Sequence, residues 1–278
     1  GDGFVKRQID RVRQDERVKA VVVRVDSPGG TVTGSDYIYH HLRKLREERR
    51  LPLVISMGSI AASGGYYISM AVGDQEKTIF AEHTTTTGSI GVIVPHYDLS
   101  GLLARYDVRD DSVSSHPRKQ ILSMTRAMSE EDRTIIQAYV NESFQRFKDI
   151  VKSGRPRLRQ ASVADGLLDQ AGERDLATGE IFTAAKARAY GLIDEIGFIE
   201  DAIDRAIELA GLDPGNVRVV QYQRPMSLVN LVGLAEAADP DFSLRALLEI
   251  SAPRAYYLAT SLPPLVTSRR ANRSQESD

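Results

Sequence analysis

The residues best suited to chemistry lie in Gly58-Ser59-Ile60-Ala61-Ala62-Ser63-Gly64-Gly65, a run with almost no side-chain bulk between an apolar strand and an apolar helix. A strand-to-helix junction of this kind can lift one hydroxyl, that of Ser63, off the edge of a sheet. The backbone N–H groups that follow face the same space and favour negative charge. Acyl transfer needs that combination, a nucleophile beside a place for an oxyanion. The run is not the G-x-S-x-G elbow of the α/β-hydrolases, because Ala61 stands at the first glycine position. On spacing alone, a tight packing turn would look the same. A second junction, Asp26-Ser27-Pro28-Gly29-Gly30, ends a neighbouring strand, and its adjacent glycines let the backbone come close to a ligand. Together the two turns predict a crevice at the carboxyl edge of a parallel sheet, where α/β proteins bind ligands.

A serine nucleophile needs a base, and two residues are candidates. His83 lies in a polar loop after Ser63, where a histidine is commonly a surface residue. Lys119 lies in Ser114-Ser115-His116-Pro117-Arg118-Lys119-Gln120-Ile121 and is the only lysine between Lys77 and Lys148. A lysine has an ordinary pKa of ~10.4, and bringing it to ~7 costs about 4–5 kcal/mol of burial and unfavourable neighbours. The residues alone leave both open.

Composition narrows the chemistry further. The 278 residues carry 36 basic and 38 acidic side chains, for a formal net charge of −2. The two signs are interspersed, without the basic stripe of a nucleic-acid binder. Cysteine is absent, which removes disulfides, thiolate metal sites, iron–sulfur clusters and a cysteine nucleophile. The five histidines form no H-E-x-x-H, so no metal is expected, and no other cofactor is. Neither G-x-G-x-x-G nor a Gly-Lys dipeptide occurs, which argues against a nucleotide. No apolar run reaches the ~18 residues of a membrane span, and no signal peptide is evident. The chain opens on Gly1 rather than Met and is read as a piece of a longer protein.

The elements that must position these residues follow from periodicity. A helix is expected at Phe4–Gln14, buried strands at Val18–Val25 and Leu51–Met57, and a helix at Asp36–Arg49 between them. The apolar helix Tyr66–Val72 follows the Ser63 junction, with short strands at Lys77–Ala81 and Gly88–Val94. The longest helix begins at a Ser129 cap and runs to Gly154. Helices at Thr183–Tyr190 and Ile199–Leu209 and a strand at Val217–Tyr222 complete the pattern. This alternation predicts an α/β fold with a largely parallel sheet flanked by helices. Domain boundaries are expected at 1–225 for the core, 226–266 for a segment that packs on the core or on another copy, and 267–278 for a disordered tail.

In combination these motifs resemble the bacterial signal peptide peptidase A family, membrane-bound Ser–Lys peptidases of the Clp protease/crotonase-like fold with repeated β-β-α units. The resemblance covers roughly residues 5–200. It rests on VDSPGG (25–30), SMGSIAASGGYYIS (56–69), TGSIGVI (87–93), HPRKQILS (116–123) and TAAKARAYGLIDEIG (183–197). It implies Ser63 as nucleophile, Lys119 as general base and Ser89 as the hydroxyl that orients the lysine amine. It implies Gly30 and Gly64 as oxyanion-hole donors. The expected activity is endopeptidase hydrolysis of small or apolar peptides, remnant signal peptides among them, through an acyl-enzyme. The expected partners are peptide substrates and further copies of the chain, in a homo-oligomer whose neighbours help to build each site. Attachment to the bacterial membrane would come through a segment outside this sequence, with the peptidase domain on the extracytoplasmic side. Two other classes compete: a crotonase-like acyl-CoA enzyme, and a non-catalytic oligomeric scaffold at the membrane.

Overall fold

The valine run at 21–23 and the apolar run at 53–57 pair in parallel, and the molecule is built outward from them. The structure, a computed structural model, describes residues 2–161, 167–169, 171, 173–222 and 256–258. Helix α1 (Asp2–Gln14) leads into β1 (Val21–Ser27), β2 (Gly29–Thr31), α2 (Val32–Arg49) and β3 (Leu53–Ala62). Next come α3 (Gly64–Ser69), β4 (Ile79–Ala81), β5 (Thr86–Gly88), α4 (Ser100–Arg105) and the long α5 (Glu130–Gly154). The order closes with α6 (Pro156–Ala161), β6 (Ile181–Thr183), α7 (Ala184–Ala189), β7 (Glu195–Ile196), α8 (Ile199–Leu209) and β8 (Tyr256–Leu258).

Among the described residues six strands form one sheet, in the order β6-β5-β3-β4-β7 with β1 on β3. Every pairing in it is parallel except β5 with β6, which bears out the expected α/β class. The second sheet is two-stranded, β2 antiparallel to β8, with Gly30 opposite Tyr257.

Strand β3 is the spine. Val21 to Val25 pair with Leu53 to Met57 in step, but Ser27 then pairs with Ala61, so Gly58 to Ile60 form an irregularity on β3. There the strand exchanges partners, with Ile55–Met57 on β4 and Ile60–Ala62 on β5. Asp26 Oδ1 holds the irregularity from one side, accepting from the Ser59 hydroxyl at 2.8 Å and the Ile60 N–H at 3.1 Å. From the other side the Thr85 hydroxyl donates to the Gly58 carbonyl at 2.6 Å.

Val25, Met57 and Ala61 are buried in one core with Leu42, Leu45, Tyr67 and Phe147 of α2, α3 and α5. On another cluster Ala202 and Ala206 of α8 close over Val54 and Phe80. Helix α5 starts where expected, because the Ser129 hydroxyl accepts from the Asp132 N–H at 3.1 Å.

Several boundaries differ from expectation, each for a local reason. Helix α2 begins at Val32 rather than Asp36, because Thr31 caps it by accepting from the Gly34 N–H at 3.1 Å. Strand β1 is shifted to Val21–Ser27 and half-open, since among the described residues it pairs only with β3. Its Arg24 is exposed, donating to Ser56 and paired with Glu82. The strand expected at Gly88–Val94 ends at Gly88, where φ values of 85° at Gly88 and 52° at Ser89 turn the chain away. Val217–Tyr222 is no strand: Val219 and Val220 are exposed, and the segment pairs with no strand among the described residues. The segments 226–266 and 267–278 lie outside the described residues except for β8.

A buried ion pair ties the end of α5 to the far edge of the sheet. Arg155 Nη1 lies 2.9 Å from Asp194 Oδ1, and its Nε donates to the Gly191 carbonyl at 2.8 Å. Asp194 Oδ2 accepts from the Thr78 and Ile79 N–H groups at 2.9 and 3.0 Å. Nearby, the buried Tyr66 hydroxyl donates to the Leu192 carbonyl at 2.8 Å, and burial holds that phenol above its usual ionisation range. Removing one partner of a buried pair leaves the other charge uncompensated, at a cost of about 3–5 kcal/mol. Arg155→Ala is therefore expected to lose stability of that order in urea unfolding followed by circular dichroism, and a loss below ~1 kcal/mol would contradict the assignment.

Candidate active site

Strand β3 delivers Ser63 to the start of α3 in a backbone conformation that side chains rarely adopt, φ 53° and ψ −113°. The turn is held at both ends: the Ser63 N–H donates to the Gly88 carbonyl at 2.8 Å, and the Ser63 carbonyl accepts from the Tyr67 N–H at 2.8 Å. A strained, over-determined residue of this kind is a mark of functional sites. The Ser63 side chain is fully buried, and its hydroxyl has no hydrogen-bond partner among the described residues.

The two glycine-rich turns meet here, as expected. A side-chain carbon added at Gly64 would lie 3.0 Å from the Gly30 nitrogen and 3.2 Å from the Gly29 Cα. One at Gly65 would lie 2.7 Å from the Ser27 carbonyl oxygen. Gly29 itself has a φ of 124°, a conformation natural to glycine. The absence of side chains thus lets the β1–β2 turn seat itself directly on the start of α3. Gly30 and Gly64 are brought side by side, each with a backbone N–H.

Ser89 lies on the other side of Ser63, immediately after Gly88. It is 4% exposed, its N–H donates to the Glu180 carbonyl at 2.6 Å, and its own φ is positive at 52°. Its hydroxyl makes no hydrogen bond among the described residues, as Ser63's does not.

Neither candidate base is hydrogen-bonded to Ser63 within the single chain. Lys119 sits on a short turn of helix, Pro117–Gln120, with its side chain exposed. That turn belongs to an arm, residues 91–131, in which no residue is buried. The arm exposes Tyr97, Leu102, Tyr106 and Val113. His83 is exposed after β4 and lies against the Phe198 ring, with centroids 6.0 Å apart.

Two residues at or beside the site were missed by sequence reasoning. Asp26 read as a turn former, yet its carboxylate holds the irregularity just before Ser63; a lone carboxylate at a strand end gives no warning of that. Ser35, placed before the expected start of α2, lies one turn inside the observed helix, and its Oγ would be 2.4 Å from a side-chain carbon at Gly64. The Thr31 cap was the available signal, since it puts Ser35 in the helix's first turns. Among the described residues no group of acidic or histidine side chains could hold a metal, and no helix is long and apolar enough to cross a membrane.

The sequence pattern of Peptidase family S49 matches residues 46–213, a stretch that includes Ser63, Ser89 and Lys119. The Synechocystis sp. protein slr0021, designated a protease by its name alone, is 38% identical over 216 residues, covering 78% of this chain and 72% of that protein. Protease 4 of Salmonella typhi is 37% identical over 251 residues, covering 89% of this chain but 38% of its own length. Serine protease SPPA, chloroplastic, of Arabidopsis thaliana is 30% identical over 221 residues, covering 78% of this chain and 30% of that protein. This chain thus spans little more than a third of the Salmonella protein and less than a third of the Arabidopsis one. Matched across the strands and helices that carry Ser63, the chain belongs to Peptidase family S49, serine-type peptidases of the Clp protease/crotonase-like fold.

Proposed function

We propose that the chain is an endopeptidase that hydrolyses peptides through a Ser63–Lys119 dyad and an acyl-enzyme. The observation that carries this reading is the buried, unpartnered Ser63 hydroxyl on its strained turn, beside the abutting glycines Gly30 and Gly64. In the proposed reaction neutral Lys119 takes the Ser63 proton as Oγ attacks the scissile carbonyl carbon. The Gly30 and Gly64 N–H groups receive the oxyanion, which needs donors already in place. The C–N bond breaks as the lysine ammonium returns its proton to the leaving amine. Water, deprotonated by the same lysine, then adds to the ester carbonyl, and Ser63 leaves with that proton. Ser89, on the far side of Ser63, is assigned to orient the lysine amine.

Lys119 is read as reaching Ser63 across an interface between copies of the chain. The absence of any buried residue over 91–131, together with exposed Tyr97, Leu102, Tyr106 and Val113, supports an arm that buries itself on a neighbour. Transfer of the amine out of water disfavours its charged form, the direction a base requires. Substrates are read as extended peptides with small or apolar residues, remnant signal peptides among them. The edge of β2 at Gly29–Thr31 takes an antiparallel strand, β8, and a peptide binding there by strand addition would take the place of β8. Location at the bacterial membrane, with the domain on the extracytoplasmic side, belongs to the same proposal.

Ser63→Ala and Lys119→Ala are each expected to lower kcat on a chromogenic peptide at least ~1,000-fold, the scale of losing a nucleophile or its base, while His83→Ala keeps most activity. Full activity in Lys119→Ala would sink the dyad and return the base to His83. Mixing the inactive Ser63→Ala and Lys119→Ala proteins under conditions of subunit exchange should restore turnover, because some sites then hold both intact residues. No recovery, with exchange verified by mass spectrometry, would place both residues in one chain.

A further inference from the structure

We infer that the Ser35 hydroxyl is a third hydrogen-bond donor to the oxyanion that Gly30 and Gly64 hold, a role that rests on the peptidase reading above. Ser35 is 4% exposed, and its hydroxyl makes no hydrogen bond among the described residues. Three other helical hydroxyls find a backbone partner: Ser69 donates to Gly65 at 2.9 Å, Thr134 to Glu130 at 2.8 Å and Ser153 to Ile150 at 2.7 Å. Ser35 Oγ is not among the fully buried side-chain atoms that lack a partner, so its oxygen keeps some access to solvent and an incoming group can reach it.

The surroundings of Ser35 indicate which group that is. The space beside Gly64, where a side chain would begin, is 2.4 Å from Ser35 Oγ and 3.0 Å from the Gly30 nitrogen. Those two atoms therefore stand no more than about 5.4 Å apart, and two donors that each reach one oxygen at ~2.9 Å can stand up to ~5.8 Å apart. Ser35 thus lies within the span that lets its O–H and the Gly30 N–H reach one oxygen. The Ser63 hydroxyl, fully buried and without a partner among the described residues, belongs to the same site. The pair is explained together if a substrate satisfies both, Ser63 by bonding its carbonyl carbon and Ser35 by donating to its oxygen. A hydroxyl donating to an anionic oxygen makes a short, strong bond, and that bond strengthens as the carbonyl acquires charge.

Kinetics of the full-length chain as its active assembly would test this, with Ser35→Ala and Ser35→Thr against wild type and Ser63→Ala. A peptide aldehyde is the probe, because Ser63 Oγ adds to its carbonyl and leaves the hemiacetal oxygen in the hole; a cleaved product peptide serves as the ground-state comparison. Ser35→Ala is expected to lower kcat about 10- to 100-fold with KM changed less than about twofold, and to weaken the aldehyde by a similar factor. Product-peptide inhibition and melting temperature should stay near wild type, and Ser35→Thr should recover most of kcat. Unchanged kcat in Ser35→Ala, or equal weakening of aldehyde and product, would overturn the inference. So would a fall in kcat that merely tracks a fall in melting temperature. Activity persisting in Ser63→Ala would instead overturn the peptidase reading itself. An inactive Ser63→Ala beside an unaffected Ser35→Ala would remove Ser35 alone.

Discussion

Strand β3 is the constraint on which the rest depends. Among the described residues it pairs with three strands, with β1 on one side and first β4, then β5 on the other. Changing partners midway requires the strand to slip against β1, and the slip at Gly58–Ile60 is held by Asp26 and Thr85. Backbone groups at such an irregularity lose their ladder partners and need others. The carboxylate and the hydroxyl supply them. Ala61 and Ala62 then come into register with β5, and Ser63 arrives where Gly88 can take its N–H.

The glycine turns add the second half of the arrangement. Backbone approaches as close as those at Gly64 and Gly65 leave no room for a side-chain carbon. Glycine at 64 and 65 is therefore required by packing alone. The same contact brings Gly30 to Gly64, two residues far apart in the chain.

Much of this was legible in the sequence, and the reason is local. Ser63, Gly30 and Gly64 sit at junctions where composition changes abruptly from β-branched residues to glycine and alanine, and such changes carry structural meaning without knowledge of the fold. The long helix from Ser129 to Gly154 was legible for the same reason, from a cap and an apolar period. What escaped depended on distant partners. The run after Gly88 has a strand's composition, but two successive positive φ angles divert it. Val217–Tyr222 is β-branched yet finds no ladder among the described residues. Asp26 gains its hold on Ser59 and Ile60, and Ser35 its place beside Gly64, only when β1, α2 and β3 are packed together. Lys119 was found through family resemblance rather than spacing, and within one chain it remains apart from the hydroxyl it is proposed to serve.

The backbone of Ser63 carries a further consequence. A φ of 53° with a ψ of −113° is a region glycine enters with little penalty and serine does not, and such a residue costs on the order of 1–3 kcal/mol. Glycine at this position would relieve that strain while deleting the hydroxyl. Stability and the proposed chemistry thus pull this one position in opposite directions: Ser63→Gly would relax the turn and leave the proposed reaction without its nucleophile.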